Sequence, residues 1–344
     1  MTRYVFVGAG AVGSALGGLL AGAGRDVLLV ARGEHARAMT ERGVTLRCPD
    51  TTVTVPVPVV TAPEQARLHV DDVLVLTTKT HQAEQAIDAW TDVPVHGDDG
   101  AVTGRAADVL PVLTALNGVA SEEIALRYAE RVVAVCVWFP VVMIEPGEVL
   151  VRTAPQRGVF HVGRYGVSPD PAGDATVLDA LERDWTPAGL LVKRPDAVMP
   201  WKYRKLLTNL GNALQALLGD ASGAADIQRA AEAEARAVLD AAGIAVTPDD
   251  EAWPGWEPDR VAIRPVPDEP PVMGGSSWQS LVRGTGTIET DFLNGEIVLI
   301  ARRLGRAAPV NAGLTRLARR AAREGRAPGS ADPDELRAQL VGTA

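Results

Sequence analysis

The sequence predicts an α/β domain built on a parallel sheet, followed by an all-α domain. Three observations predict it. Residues 3–31 run strand, glycine turn, helix and strand (RYVFV, then GAGAVG, then DVLLVA). Further apolar runs at 73–77, 109–116 and 132–138 are short enough to be buried strands. Beyond Pro195 the apolar spacing turns helical, over about 199–217, 222–242, 287–304 and 310–324. The change of texture near 195–200 divides the chain into an N-terminal domain, 1–197, and a C-terminal domain, 198–344.

In order along the chain, 3–7 is an apolar strand, the helix after Gly13 ends near Ala23, and Gly24 suits its C-terminus. A strand at 73–77 precedes Lys79, and a helix is expected from His81 to Trp90. Residues 91–108 read as a long polar loop. Alternation over 148–163 predicts an antiparallel hairpin, followed by a helix near 174–184 and a strand near 190–194. Residues 247–275 are proline-rich, carry Trp253 and Trp256 about a Pro-Gly pair, and cannot form one helix. A short helix is expected from Asp332.

With 344 residues and 47% apolar composition, the chain is long enough for two domains with cores of their own. The net charge of −9, with no basic run or arginine stripe evident, argues against nucleic acid and anionic membrane as main partners. No apolar run reaches the length of a membrane span. Cys48 and Cys136 match no metal or redox spacing, and the five histidines form no recognisable metal set, so no metal is expected. The start, MTRYVFVGAG, carries no leader signal, and a cytoplasmic protein is the expectation.

Gly8-Ala9-Gly10-Ala11-Val12-Gly13 lies between a strand and a helix, with a second strand on schedule. Glycines there close a tight turn and let a pyrophosphate approach the backbone, and the helix N-terminus offers it free N–H groups. The N-terminal domain is therefore read as a Rossmann-type dinucleotide-binding domain. Arg32 stands directly after the second strand, where an arginine fork suits the 2′-phosphate of NADP(H); Glu34, two residues on, keeps NAD open.

Of 34 basic residues only Lys79, Lys193, Lys202 and Lys205 are lysines. Arginine does not give up its proton in a protein, whereas lysine can. In the helix 199–217, Leu206, Leu210, Ala213, Leu214 and Leu217 form an apolar stripe. Trp201, Lys205, Asn209 and Asn212 cluster on roughly the other side. One lysine and two carboxamides can hold and protonate a carbonyl. Lys202 is read as a solvent-facing residue at the helix start. Downstream, Ser276 and Ser277 precede a glycine-broken loop, and a helix is expected from Glu289, with Gly295 inside it.

The ordered set of Gly8/Gly10/Gly13, Arg32, Lys79 after a strand, Asn117-Gly118, Lys205-x-x-x-Asn209, and Ser277 twelve residues before Glu289 resembles the ketopantoate reductase family. The resemblance spans about 2–324. It implies an NADPH-dependent 2-dehydropantoate 2-reductase of pantothenate synthesis, with a Rossmann domain, a helical domain and an active site in the cleft between them. It implies that Gly8, Gly10 and Gly13 hold the pyrophosphate and Arg32 the 2′-phosphate. Lys79 and Asn117 would lie near the nicotinamide. Lys205 would be the general acid, Asn209 and Ser277 would hold substrate, and Glu289 would bond substrate and position the lysine. An ammonium at that place stabilises charge on the carbonyl oxygen and then protonates it.

Two positions depart from the family pattern. Ala213 and Gly274 stand where asparagines usually contact substrate; Asn212 is adjacent to the first but rotated by about 100° on a continuous helix. A pocket short of amides suggests a relative that reduces a bulkier 2-oxo acid, a ketone or an imine. A non-catalytic NADPH-binding redox sensor is the reading from another class. A homodimer is compatible with all three.

Overall fold

A computed structural model describes residues 1–249, 260–270, 274–284 and 286–340. The chain forms two units. The first comprises 1–116, 121–198 and the described part of 249–269; the second comprises 117–120, 199–248 and the described part of 270–344. The single cut expected at 197/198 is thus replaced by discontinuous units. Asn117–Ala120 belongs with the helices, and the end of the proline-rich segment, including the strand Val261–Ile263, belongs with the first unit. Trp253 and Trp256 lie outside the described residues.

The first unit is built on eight strands: β1 Arg3–Val7, β2 Asp26–Val30, β3 Val59–Val60, β4 Asp72–Leu76, β5 Val112–Thr114, β6 Val132–Trp138, β7 Gly158–Tyr165 and β8 Leu190–Lys193. They lie in the order β8-β7-β6-β5-β4-β1-β2-β3. All neighbours from β6 to β3 pair in parallel. β7 runs antiparallel to β6, and β8 parallel to β7. Side chains of β1 alternate between two cores. Tyr4 and Phe6 pack with Leu16, Leu20 and Trp185, whereas Val5 and Val7 pack with Leu76, Ile87 and Trp90. Both faces are therefore covered, which is why these strands read as apolar runs rather than alternations. Apart from the single turn Ala106–Val109, the α-helices of this unit are α1 Ala11–Gly22, α2 Gly33–Arg42, α3 Ala83–Thr91, α4 Ser121–Leu126 and α5 Pro171–Trp185.

The second unit is helical: α6 Met199–Asn209, α7 Gly211–Leu218, α8 Ala225–Ala241, α9 Ser276–Val282, α10 Asn294–Arg303, α11 Pro309–Arg323 and α12 Pro333–Leu340. Leu206, Leu210, Ala213, Leu214 and Leu217 are all buried, as the stripe requires. The expected single helix over 199–217 is, however, two. The break falls at Leu210-Gly211 (glycine is a poor helix former), and Asn294 Nδ2 donates to the Leu210 carbonyl at 3.2 Å. Asn294 also donates to Asn311 Oδ1 at 3.0 Å, and Glu234 accepts the backbone N–H groups of Val310 and Asn311 at the start of α11.

Other expectations change with the structure. Residues 91–108 are not a bare loop: Pro94–His96 and Val102–Arg105 pair antiparallel around the turn holding Asp99-Gly100. The strand Glu148–Val151 pairs with Val141–Glu145, while 158–165 joins the main sheet. The expected hairpin over 148–163 therefore does not form. Glu289 lies in a 3₁₀ turn, Glu289–Phe292, ahead of α10, and Ser276 and Ser277 open the short helix α9, which leads into the glycine-containing stretch. Lys202 is 2% exposed, so it is no solvent residue. An arginine stripe does exist: Arg316, Arg319, Arg320 and Arg323 share an exposed face of α11, and Arg319 pairs with Asp291. No described helix is long and apolar enough to cross a membrane.

Candidate active site

In the first unit the three glycines of the turn answer to three different constraints. Gly8 has φ +101°, and a Cβ there would lie 2.6 Å from Thr78 Cγ2 and 2.9 Å from Thr78 N. At Gly13 a Cβ would lie 2.6 Å from both the Gly8 carbonyl oxygen and Thr77 Oγ1, so α1 packs too closely for any side chain. A Cβ on Gly10 would meet nothing within 4 Å, so the space beside it is open. Gly10 is also the N-cap of α1 and offers no capping side chain. The first-turn N–H groups of Ala11, Val12 and Gly13 are thereby left for an outside acceptor. These features fit an anion held against the turn.

The peptide between Ala9 and Gly10 is pinned at both ends. Gly10 N–H donates to the Gly8 carbonyl at 2.7 Å, and Ser14 Oγ donates to the Ala9 carbonyl at 2.9 Å. Arg32 is exposed at the N-cap of α2, and its guanidinium makes no hydrogen bond or ion pair with the described residues. Glu34 is tied to Arg37. The cation nearest the end of β2 is therefore available to an anion, while the competing carboxylate is engaged. Lys79 caps the 3₁₀ turn Thr80–Gln82, three residues past β4, and is half-buried.

In the second unit Lys205 and Asn117 meet directly. Lys205 Nζ donates to Asn117 Oδ1 at 2.7 Å. Asn117 follows β5 by three residues and is followed by Gly118, φ +79°, where a Cβ would lie 2.7 Å from the Phe292 carbonyl oxygen. Only glycine lets the Asn117 segment close on the turn that carries Glu289. Val119 then packs with Leu206, Leu210 and Leu293. Lys205 on α6, Asn117 and the Glu289 turn are thus held by one apolar cluster. The Glu289 side chain is 4% exposed.

Two further predicted residues present buried polar atoms without partners among the described residues. These are Ser277 Oγ, in a side chain 1% exposed, and Asn209 Nδ2. Such atoms are costly unless a ligand or water satisfies them. Asn212 Oδ1 lies 3.0 Å from where a Gly275 Cβ would stand, next to the two serines. The helix break sets this orientation: Asn212 faces α9 while Ala213 is 1% exposed in the core. A Cβ on Gly274 would lie 2.3 Å from Trp278 Cγ, so Trp278 occupies the room an asparagine would need. Sequence reasoning passed over Trp278, and also Ser14 and His35, which stand behind the glycine turn.

The family model described as "Ketopantoate reductase PanE/ApbA" matches residues 4–166, and its C-terminal counterpart matches 197–322. A 2-dehydropantoate 2-reductase of Pyrococcus horikoshii is 28% identical over 90% of this chain and 94% of its own length. The enzyme of the same name from Archaeoglobus fulgidus is 27% identical, over 92% and 97%. Among solved structures, a PanE/ApbA family ketopantoate reductase from Ralstonia eutropha superposes with a TM-score of 0.72 at 27% identity, covering 94% of this chain and 99% of that one. D-mandelate dehydrogenase in a ternary structure with NADH and anilino(oxo)acetate superposes at 0.73, over 94% and 99%. At 21% identity this is a likeness of fold.

Proposed function

Because the chain belongs to the ketopantoate reductase family, we propose that it reduces a 2-oxo acid to the 2-hydroxy acid with NADPH. The observation that carries this reading is the 2.7 Å hydrogen bond from Lys205 Nζ to Asn117 Oδ1. It fixes an ammonium against a carboxamide oxygen, and an ammonium is a group that can donate a proton to a substrate oxygen.

Roles divide between the units. Ala11, Val12 and Gly13 offer N–H groups to the pyrophosphate, and Gly10 leaves room for it. Arg32 is the group for a 2′-phosphate, and Lys79 serves the cofactor near its nicotinamide. The bound dinucleotide supplies the hydride, with its two electrons, to the carbonyl carbon. Lys205 stabilises the charge that develops on the carbonyl oxygen and transfers a proton to it, which completes the alcohol. Asn117 fixes the ammonium, and Glu289 positions it and bonds substrate. Ser277 Oγ and Asn209 Nδ2 donate to the substrate, with Ser277 at the carboxylate and Asn212 beside it.

Ketopantoate is the substrate the relatives' names favour. Trp278 over Gly274 favours a second reading, a bulkier and more apolar 2-oxo acid, because an indole replaces an amide there. The test is kcat/KM with NADPH for ketopantoate against branched and aromatic 2-oxo acids. A preference for ketopantoate supports the first reading, and an aromatic preference supports the second. NADPH binding without turnover of any of them would instead support a redox-sensing role and contradict both.

A further inference from the structure

His35 joins three separate parts of the first unit. It lies on α2, three residues after Arg32, and is half-buried. Its Nδ1 accepts the Gly147 N–H at 2.9 Å, and its Nε2 lies 2.9 Å from Ser14 Oγ. Ser14 is fully buried, one residue past Gly13, and its Oγ is 2.9 Å from the Ala9 carbonyl oxygen.

The directions of these bonds follow from the partners. A backbone N–H can only donate, so Nδ1 must be the bare, accepting nitrogen. The proton of the neutral ring is then on Nε2, which donates to Ser14 Oγ. Ser14 in turn has its hydroxyl proton free for the Ala9 carbonyl, which can only accept. Every donor meets an acceptor, and the chain ends on the Ala9–Gly10 peptide. That peptide's own N–H is held by the Gly8 carbonyl, and Ala9 N–H by Val30 of β2. The turn beside which the pyrophosphate is to lie is therefore locked from behind by a side chain of the helix that Arg32 caps. Burial lowers the pKa of His35, which agrees with a neutral ring.

We propose that His35 is a positioning residue for the dinucleotide, acting through Ser14 to set the glycine turn against the Arg32 end of α2. This rests on the NADPH reading above. It is not a catalytic residue, and its effect belongs in cofactor affinity.

Full-length wild type, His35→Ala, His35→Gln and His35→Asn are compared for NADPH Kd by fluorescence titration, with Tm, kcat and substrate KM beside it. Glutamine places a donor where Nε2 stands and keeps the Ser14 bond. Asparagine places an acceptor where Nδ1 stands and keeps only the Gly147 bond. The expected result is a rise in NADPH Kd of about tenfold in the alanine and asparagine variants, and of about twofold or less in the glutamine variant. Substrate KM and kcat at saturating NADPH stay within about twofold. Ser14→Ala reproduces the loss, and adding it to His35→Ala causes no further loss, as expected for one shared chain of bonds. Unchanged Kd in His35→Ala, or losses that follow Tm rather than the Gln/Asn distinction, would overturn the proposal. Wild type that fails to bind NADPH would overturn the functional reading itself, and so separates the two failures.

Discussion

Replacing Gly10 and Gly13 separately by alanine should have opposite consequences, although both belong to one short turn. At Gly13 the new Cβ would stand 2.6 Å from the Gly8 carbonyl oxygen and from Thr77 Oγ1. Ordinary contact begins near 3.4 Å, so the overlap is roughly 0.8 Å against backbone and a buried side chain. Neither is the far end of a flexible group, so α1 must move away from the turn. Overpacking of this kind costs about 1–3 kcal/mol, and this site belongs at the upper end. At Gly10 the methyl meets no protein atom, and φ is −81°, a value open to alanine. Loss of the glycine N-cap preference, of order 0.5 kcal/mol, is offset by about 0.4–1 kcal/mol from the less flexible unfolded chain. Gly10→Ala should therefore melt within about 2 °C of wild type, whereas its methyl stands where the pyrophosphate is to lie, and NADPH Kd should rise at least about tenfold. Thermal melts and NADPH fluorescence titrations read both effects. A Gly10→Ala protein that binds NADPH as wild type does would refute the placement of the pyrophosphate at this turn.

Arg32→Ala should weaken NADPH by about tenfold or more and leave NADH within about twofold; equal losses would hand cofactor choice to another group. Ser277→Ala should raise KM for the 2-oxo acid about tenfold with NADPH Kd unaltered, and an unaltered KM would place the carboxylate elsewhere. His161 lies in β7, opposite Cys136 of β6 and beside Lys193 of β8, and burial followed by the Lys193 charge lowers its pKa from 6.5 to about 3. The unfolded chain thus binds a proton below pH 6.5 that the folded chain refuses until about pH 3. Stability is full above that window and falls on acidification, by roughly 2 kcal/mol between pH 7 and 5. Denaturant titrations should show a smaller acid-side loss in His161→Gln by about that amount; equal losses would count against a neutral buried ring.

Much of this was legible in the sequence because it depends on local pattern. The turn at 8–13, the strands 3–7 and 132–138, and the buried stripe through Leu206 and Leu214 are set by glycine conformation and by apolar spacing. What was hidden depends on partners distant in the chain. Residues 148–151 and 158–165 look like one hairpin by alternation, but each found a different neighbour, 141–145 and β6. Gly211 marks the break in the lysine helix, yet its consequence for Asn212 and Ala213 needs α9 to be visible. The arginine face of α11 is spread over about two turns of helix, interrupted by apolar residues, and does not register as a run. His35 gave no signal, since its partners Ser14 and Gly147 are 21 and 112 residues away.

The most direct measurement is single-turnover oxidation of bound NADPH by a 2-oxo acid in wild type and in Lys205→Ala, with NADPH affinity determined in parallel. The account predicts an intact Kd and a rate of reduction lower by about 10²–10⁴. An alanine variant that reduces the ketone as fast as wild type would show that the proton comes from elsewhere.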